Sequence, residues 1–260
     1  MTYRPRFTIG VSLKMYFGHA EALRWFDRVA ELAAGHPALL SGAAELFVIP
    51  SFPALPAAVE RLTPAGVLVG AQDLFWEDRG AFTGEVSGAE LAELGCTLAE
   101  IGHAERRRLF GETDETVARK IAAALRNGLT PVLCVGEADR TDPERAAADC
   151  IAEFDSAISA VEPGAAGRIL VAYEPHWAIG AAEPASPAHI AGVTERLAAH
   201  VAAVPGYEGS RVIYGGSAKP GLLPKLGSAV GGLFLGRFAH DPAALAAILD
   251  ETVQLAEVPA

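Results

Sequence analysis

The chain has 260 residues, 51% hydrophobic and 20% charged, enough to bury one large core. A formal net charge of −11 argues against nucleic acid or an anionic membrane as partner. No apolar run approaches the ~20 residues that a membrane span needs, and three cysteines (Cys96, Cys134, Cys150) without metal-type spacing speak against a disulfide framework or a zinc site.

Taken in order, residues 7–13 predict a first strand, with Lys14 ending it and a helical pattern over 19–34. Arg4 and Arg6 precede that strand, but no apolar signal core follows them, so the expected location is cytoplasmic. Further strands are predicted at 45–50, 67–72, 97–101 and 130–135. A helix over 115–126 is stopped by Asn127-Gly128, a common C-terminal signal. Residues 143–161 read as helix, 169–173 as the sixth strand, and Ser186-Pro187 as cap and first turn of a helix reaching about Val204. Strands at 212–214 and 231–235 complete the series, closed by a helix from Pro242. Short apolar strands without alternation are buried on both faces. Eight such units, with no composition break or linker, predict a single-domain (β/α)₈ TIM barrel over residues 1–260. A doubly wound open sheet is the runner-up, but no G-x-G-x-x-G fingerprint follows the first strand.

One stretch carries unusual chemistry. The apolar sixth strand ends in Glu174, and Pro175, which cannot donate to a sheet ladder, follows at once. Residues 176–185 are small, aromatic or apolar apart from His176 and Glu183. Such a loop reads as a lid excluding water from the carboxylate at its root. A capping glutamate before a core-covering loop fits the same pattern. In a barrel, functional residues gather at the C-terminal strand ends. Read in order, those ends give Ser12, Lys14, His103, Glu137, Glu174, Ser217, Gly236 and Arg237. Singly, Lys14 fits a rim ion pair and His103 a helix cap; a cation, an imidazole and a carboxylate on one mouth are harder to dismiss.

Four segments, residues 102–107, 134–137, 173–180 and 214–217, resemble the triosephosphate isomerase family, as does 80–85. The resemblance spans Lys14 to Gly236. This enzyme is a standard worked case of tuned acid–base groups, and it implies the following roles. Glu174 is the base that shuttles a proton between adjacent carbons, and neutral His103 polarises the carbonyl. Lys14 supplies positive charge, and Glu105 orients it and relays protons. Backbone N–H groups of Gly180, Ser217, Gly236 and Arg237 hold the phosphate, which lets an acidic protein bind a dianion. The implied partner is a small phosphorylated sugar as substrate, with no cofactor and no metal. The implied assembly is a homodimer in which the loop 73–87 enters the neighbouring subunit near Lys14, with Trp76 and Phe82 as anchors.

The chain departs from the family pattern at several positions. Ser12 stands for the usual Asn, Ala104 for Ser, His176 for Val in the lid hinge, and Asp73 for Asn. Ala181-Ala182-Glu183-Pro184 replaces the usual lid tip, with an altered closing motion expected. Arg237 and Phe238 replace Gly and Ala in the final phosphate turn. Ser12 and the run 232–237 resemble the paralogues that convert L-erythrulose 1-phosphate to D-erythrulose 4-phosphate. Ser12 is expected to leave a small volume, lined by its hydroxyl, for the extra hydroxymethyl group. The alternatives are an ordinary triosephosphate isomerase and a non-catalytic barrel that binds a sugar phosphate.

Overall fold

The computed structural model describes residues 5–180 and 184–256. Eight strands alternate with helices: β1 (Phe7–Ser12), β2 (Ala44–Ile49), β3 (Leu68–Ala71), β4 (Leu98–Ile101), β5 (Thr130–Val135), β6 (Leu170–Tyr173), β7 (Arg211–Tyr214) and β8 (Gly232–Leu235). All pair in parallel with their sequence neighbours, and β8 returns to β1 in the register Thr8↔Gly232 through Val11↔Leu235. That last pairing closes the barrel and eliminates the open sheet. Most strand positions are apolar because the interior faces one layer of side chains and the exterior another. Phe47, Ile49, Leu98, Val132, Cys134, Leu170, Ala172, Ile213 and Phe234 fill the inside. Gly10 makes room among them, since a Cβ there would lie 2.0 Å from the Phe47 ring, which stacks on Phe234 at 5.6 Å.

The outer layer holds α1 (His19–Gly35), α2 (Pro37–Leu40), α3 (Leu55–Leu62), α4 (Gly88–Glu93), α5 (Ala104–Phe110), α6 (Asp114–Arg126), α7 (Pro143–Ile158), α8 (Pro187–Ala203), α9 (Leu223–Leu226) and α10 (Pro242–Ala256). The caps explain several of their starts. Thr113, Asp142 and Ser186 each accept a backbone N–H of the first turn. The helix predicted to reach residue 161 stops at Ile158, ahead of the Pro163-Gly164 turn. The turns α2, α4 and α9 lie outside the sequence expectations, because four to six residues are too few to show a helical period.

The loop after β3 packs in part on its own barrel. Trp76 is partly buried there, with the Arg119 guanidinium 4.3 Å from the ring centroid. Phe75 lies between Trp76 and Phe82, with centroid distances of 4.0 and 4.6 Å, so the aromatic residues satisfy one another locally. Phe82 remains 41% exposed. Asp73, at the root of the loop, is buried and paired with Lys120 at 2.6 Å and Arg106 at 2.7 Å. Glu112 joins both cations, so the loop is tied to α5 and α6.

Candidate active site

The C-terminal ends of the strands surround a cavity of about 730 Å³. Lys14, His103, Glu105, Glu174, Ser12, Gly180, Ser217, Gly236 and Arg237 all line it. Of the residues singled out in the sequence, these nine are therefore brought to one place.

Lys14 sits two residues past β1 with φ 47°, the one non-glycine residue in left-handed backbone among those described. Such a conformation costs on the order of 1 kcal/mol or more and persists only where its surroundings enforce it. Gln72 supplies part of that enforcement by donating from Nε2 to the Lys14 carbonyl at 2.8 Å. The ammonium meets Glu105 Oε1 at 2.8 Å. Burial opposes the charge on Lys14, but the Glu105 hydrogen bond and the nearby Glu174, Glu105 and Glu100 carboxylates outweigh it, raising its pKa. Glu105 is held below its usual value in turn, the Lys14 contacts overcoming its own burial.

His103 caps α5. Its Nδ1 accepts the backbone N–H of Glu105 at 3.1 Å, so Nε2 carries the proton of the neutral ring. Burial first, then the charge of Lys14, push its pKa down to about 4. The ring therefore meets Glu174 as a neutral N–H group, not as an imidazolium, with Nε2 3.3 Å from Oε2. Glu174 is buried just past β6, and burial pushes its carboxyl up to about 8 despite the opposing charge of Lys14. The 3.3 Å contact with His103 lacks hydrogen-bond geometry, so Oε2 of Glu174 has no hydrogen-bond partner among the described residues. A base that is buried, under-bonded and raised in pKa is poised to take a proton. Gly215 leaves the space it needs, since a Cβ there would lie 2.5 Å from Glu174 Cγ and Oε1.

Three turns after β6, β7 and β8 form the opposite wall. Gly180 adopts φ 72°, and Ser217 donates its hydroxyl to the Ala178 carbonyl at 3.0 Å, which links the β7 turn to the lid root. Beyond the tip, the Ala185 N–H donates to the Tyr214 hydroxyl at 3.3 Å. Glu137 packs under the start of the loop after β6 and does not line the cavity. It accepts from Trp177 Nε1 at 2.8 Å and from the Tyr173 hydroxyl at 3.2 Å. The Arg237 guanidinium lies 5.8 Å from the centroid of the Tyr16 ring at the cavity mouth. Of the expected lid tip at 181–184, residues 181–183 lie outside the described residues.

The cavity floor holds a residue that the sequence reading passed over. Glu100 lies in β4, two residues after the inward-facing Leu98, so strand alternation turns it into the barrel. It is 3% exposed, lines the cavity, and accepts the Ser12 hydroxyl at 2.9 Å through Oε2. Burial raises its pKa to about 7, against the Ser12 hydrogen bond and the charge of Lys14. Ser12 lines the cavity as expected of a small residue there, and its hydroxyl proton is committed to this carboxyl group.

Comparison with known proteins bears on this constellation. The family model described as triosephosphate isomerase matches residues 7–252. The chain belongs to the triosephosphate isomerase family. The L-erythrulose-1-phosphate isomerase of Pectobacterium atrosepticum is 55% identical over 251 residues, covering 96% of this chain and 97% of the relative. The triosephosphate isomerase of Moorella thermoacetica is 40% identical over 222 residues, 82% of this chain and 88% of the relative. The crystal structure of triosephosphate isomerase from Bartonella henselae gives a TM-score of 0.79 at 27% identity, covering 96% of this chain and 99% of that one.

Within this isomerase family, the departures acquire locations. His176 begins the short turn His176–Ala178 at the lid root and lines the cavity, its pKa lowered by burial and by Arg107. Phe238 is 46% exposed and forms part of the cavity wall next to Arg237. Sequence reasoning missed Glu100 and Gln72 because both lie within or just past strands whose other residues are apolar. A lone carboxylate in the inward register of β4, three residues before His103, is the signal that marks Glu100.

Proposed function

We propose that the chain isomerises L-erythrulose 1-phosphate to D-erythrulose 4-phosphate by proton transfer through an enediolate. The observation that carries the reading is the buried Glu174 facing the neutral His103 N–H across a cavity that also holds Lys14. Glu174 removes the proton on C3, and the electrons of the C–H bond form the C2–C3 double bond. Charge gathers on the C2 oxygen, where His103 Nε2–H and the Lys14 ammonium stabilise it. Glu174, now protonated, returns the proton to C2, and a proton passes between the two oxygens as the carbonyl forms at C3. Backbone N–H groups of Gly180, Ser217, Gly236 and Arg237 hold the phosphate, and Glu105 orients Lys14 through its 2.8 Å contact.

The choice of a four-carbon substrate is supported by the name and 55% identity of the Pectobacterium relative and by Ser12, smaller than the asparagine usual at that position. The second reading is an ordinary triosephosphate isomerase, interconverting dihydroxyacetone phosphate and glyceraldehyde 3-phosphate, favoured by the Moorella relative. Purified protein assayed on both ketose phosphates side by side separates them. The first reading expects the higher kcat/KM for L-erythrulose 1-phosphate, and a preference for the triose overturns it.

We also propose a cytoplasmic homodimer. Met15 and Tyr16, directly after Lys14, are 94% and 52% exposed, and Phe82 at the tip of the loop after β3 is the apolar group available to cover such a surface. Sedimentation of an active protein as a monomer at micromolar concentration would count against it.

A further inference from the structure

Position along the strands gives the cavity a direction. Gly180, Ser217 and Gly236 all lie beyond the strand ends, at the rim. Ser12 is the last residue of β1, Glu100 lies inside β4, and Phe234 lies inside β8, so these three form the floor. A ketose phosphate held by its phosphate at the rim, with its reacting carbons between Glu174 and His103, points its far carbon at that floor. Dihydroxyacetone phosphate ends at the second reacting carbon. A four-carbon ketose phosphate continues with one hydroxymethyl group.

We propose that Glu100 is the specificity-determining residue of this site, taking the hydroxyl of that terminal hydroxymethyl group with Ser12 beside it. The inference rests on the four-carbon reading above and deepens it. Glu100 is 3% exposed, and Ser12 is its one hydrogen-bond partner among the described residues. A buried carboxyl group has more hydrogen-bonding capacity than one hydroxyl fills, and leaving that capacity unused under a bound substrate is costly. A hydroxymethyl oxygen reaching the floor supplies the missing partner, whereas a triose leaves the carboxyl group short. Ser12 cannot donate to the incoming hydroxyl, because its own proton goes to Glu100 Oε2 at 2.9 Å. It retains lone pairs to accept, so the pair offers both an acceptor on Glu100 and an acceptor on Ser12. Phe234, stacked on Phe47, keeps the remainder of the floor apolar. Sites built to hydrogen-bond a substrate hydroxyl discriminate strongly against analogues lacking it, because their buried polar groups are left unpaired.

The test measures kcat/KM for L-erythrulose 1-phosphate and for dihydroxyacetone phosphate on the parent and on two variants. In Glu100→Met, an apolar side chain of similar length, the tetrulose-to-triose ratio is expected to fall roughly 10²-fold. In Glu100→Gln, which keeps hydrogen-bonding capacity, the ratio is expected to stay within about tenfold of the parent's. If Glu100→Met does not fold, Glu100→Leu serves the same comparison. The ratio is insensitive to a general loss of active protein, so a purely structural role for Glu100 would leave it unmoved. A parent that prefers the tetrulose, with a ratio unchanged by the apolar variant, overturns the inference and leaves the four-carbon assignment standing. A parent that prefers the triose overturns both.

Discussion

Replacing Glu100 with glutamine is expected to make the protein's stability less sensitive to pH. In the unfolded chain this carboxyl titrates near 4.5, and burial raises it to about 7 in the barrel. Because the folded value is the higher one, the folded protein binds more protons than the unfolded chain between those limits. Stability is then fully present below the unfolded value and is lost as pH rises through the folded one. At 1.36 kcal/mol per unit, a rise from 4.5 to about 7 corresponds to about 3 kcal/mol, most of it developed between about pH 5 and pH 8. Glutamine can still accept the Ser12 proton but carries no charge to desolvate. Urea unfolding of parent and variant at about pH 5 and about pH 8, at one fixed protein concentration, reads the difference directly. The variant is expected to gain stability relative to the parent by about 2–3 kcal/mol on going from the lower to the higher pH. An equal pH dependence in the two proteins would refute the reasoning, and a relative loss at high pH would reverse its sign.

Glu174→Gln is expected to lower turnover by at least roughly 10²–10⁴-fold while leaving the circular dichroism spectrum intact; turnover within tenfold of the parent would remove the residue from its proposed role. Gly215→Ala places a methyl group where Glu174 Cγ and Oε1 now lie, so kcat is expected to fall about 10²-fold through misplacement of the base. Stopped-flow or steady-state rates near the parent's would show that the carboxylate has another productive position. Ser12→Asn refills the space above Glu100 and is expected to move the tetrulose-to-triose ratio of kcat/KM roughly tenfold or more toward the triose, an outcome that paired kinetics on the two substrates can contradict.

Much of the architecture is legible in the sequence because a parallel barrel writes each strand as a short apolar run ending in a polar or small residue. Glu174 before Pro175 and His103 after Gly102 stand out for that reason. Residues whose function depends on register are harder to see. Glu100 sits in a segment that is apolar on average, and only the alternation from Leu98 reveals that it faces inward. The Ser12 hydroxyl reads as available until the chain is closed, because its partner lies 88 residues away on a strand that does not pair with β1. The sequence likewise gives no sign that Arg119, from a distant helix, lies against Trp76. The short helix α4 leaves little trace, since its six residues follow a cap but complete no second turn.

The pairing of β1 with β8 also bears on how the chain matures during synthesis. Ser12 and Lys14 leave the ribosome before Gly236 and Arg237, which follow only when β8 has been made. Until then β1 has an unpaired edge on one side, the kind of exposed template that invites aggregation. The turn after β8 and the Lys14 ammonium cannot come together on a nascent chain that lacks the last strand. Chains released before β8 would therefore expose the β1 edge and lack the cavity that the closed barrel forms.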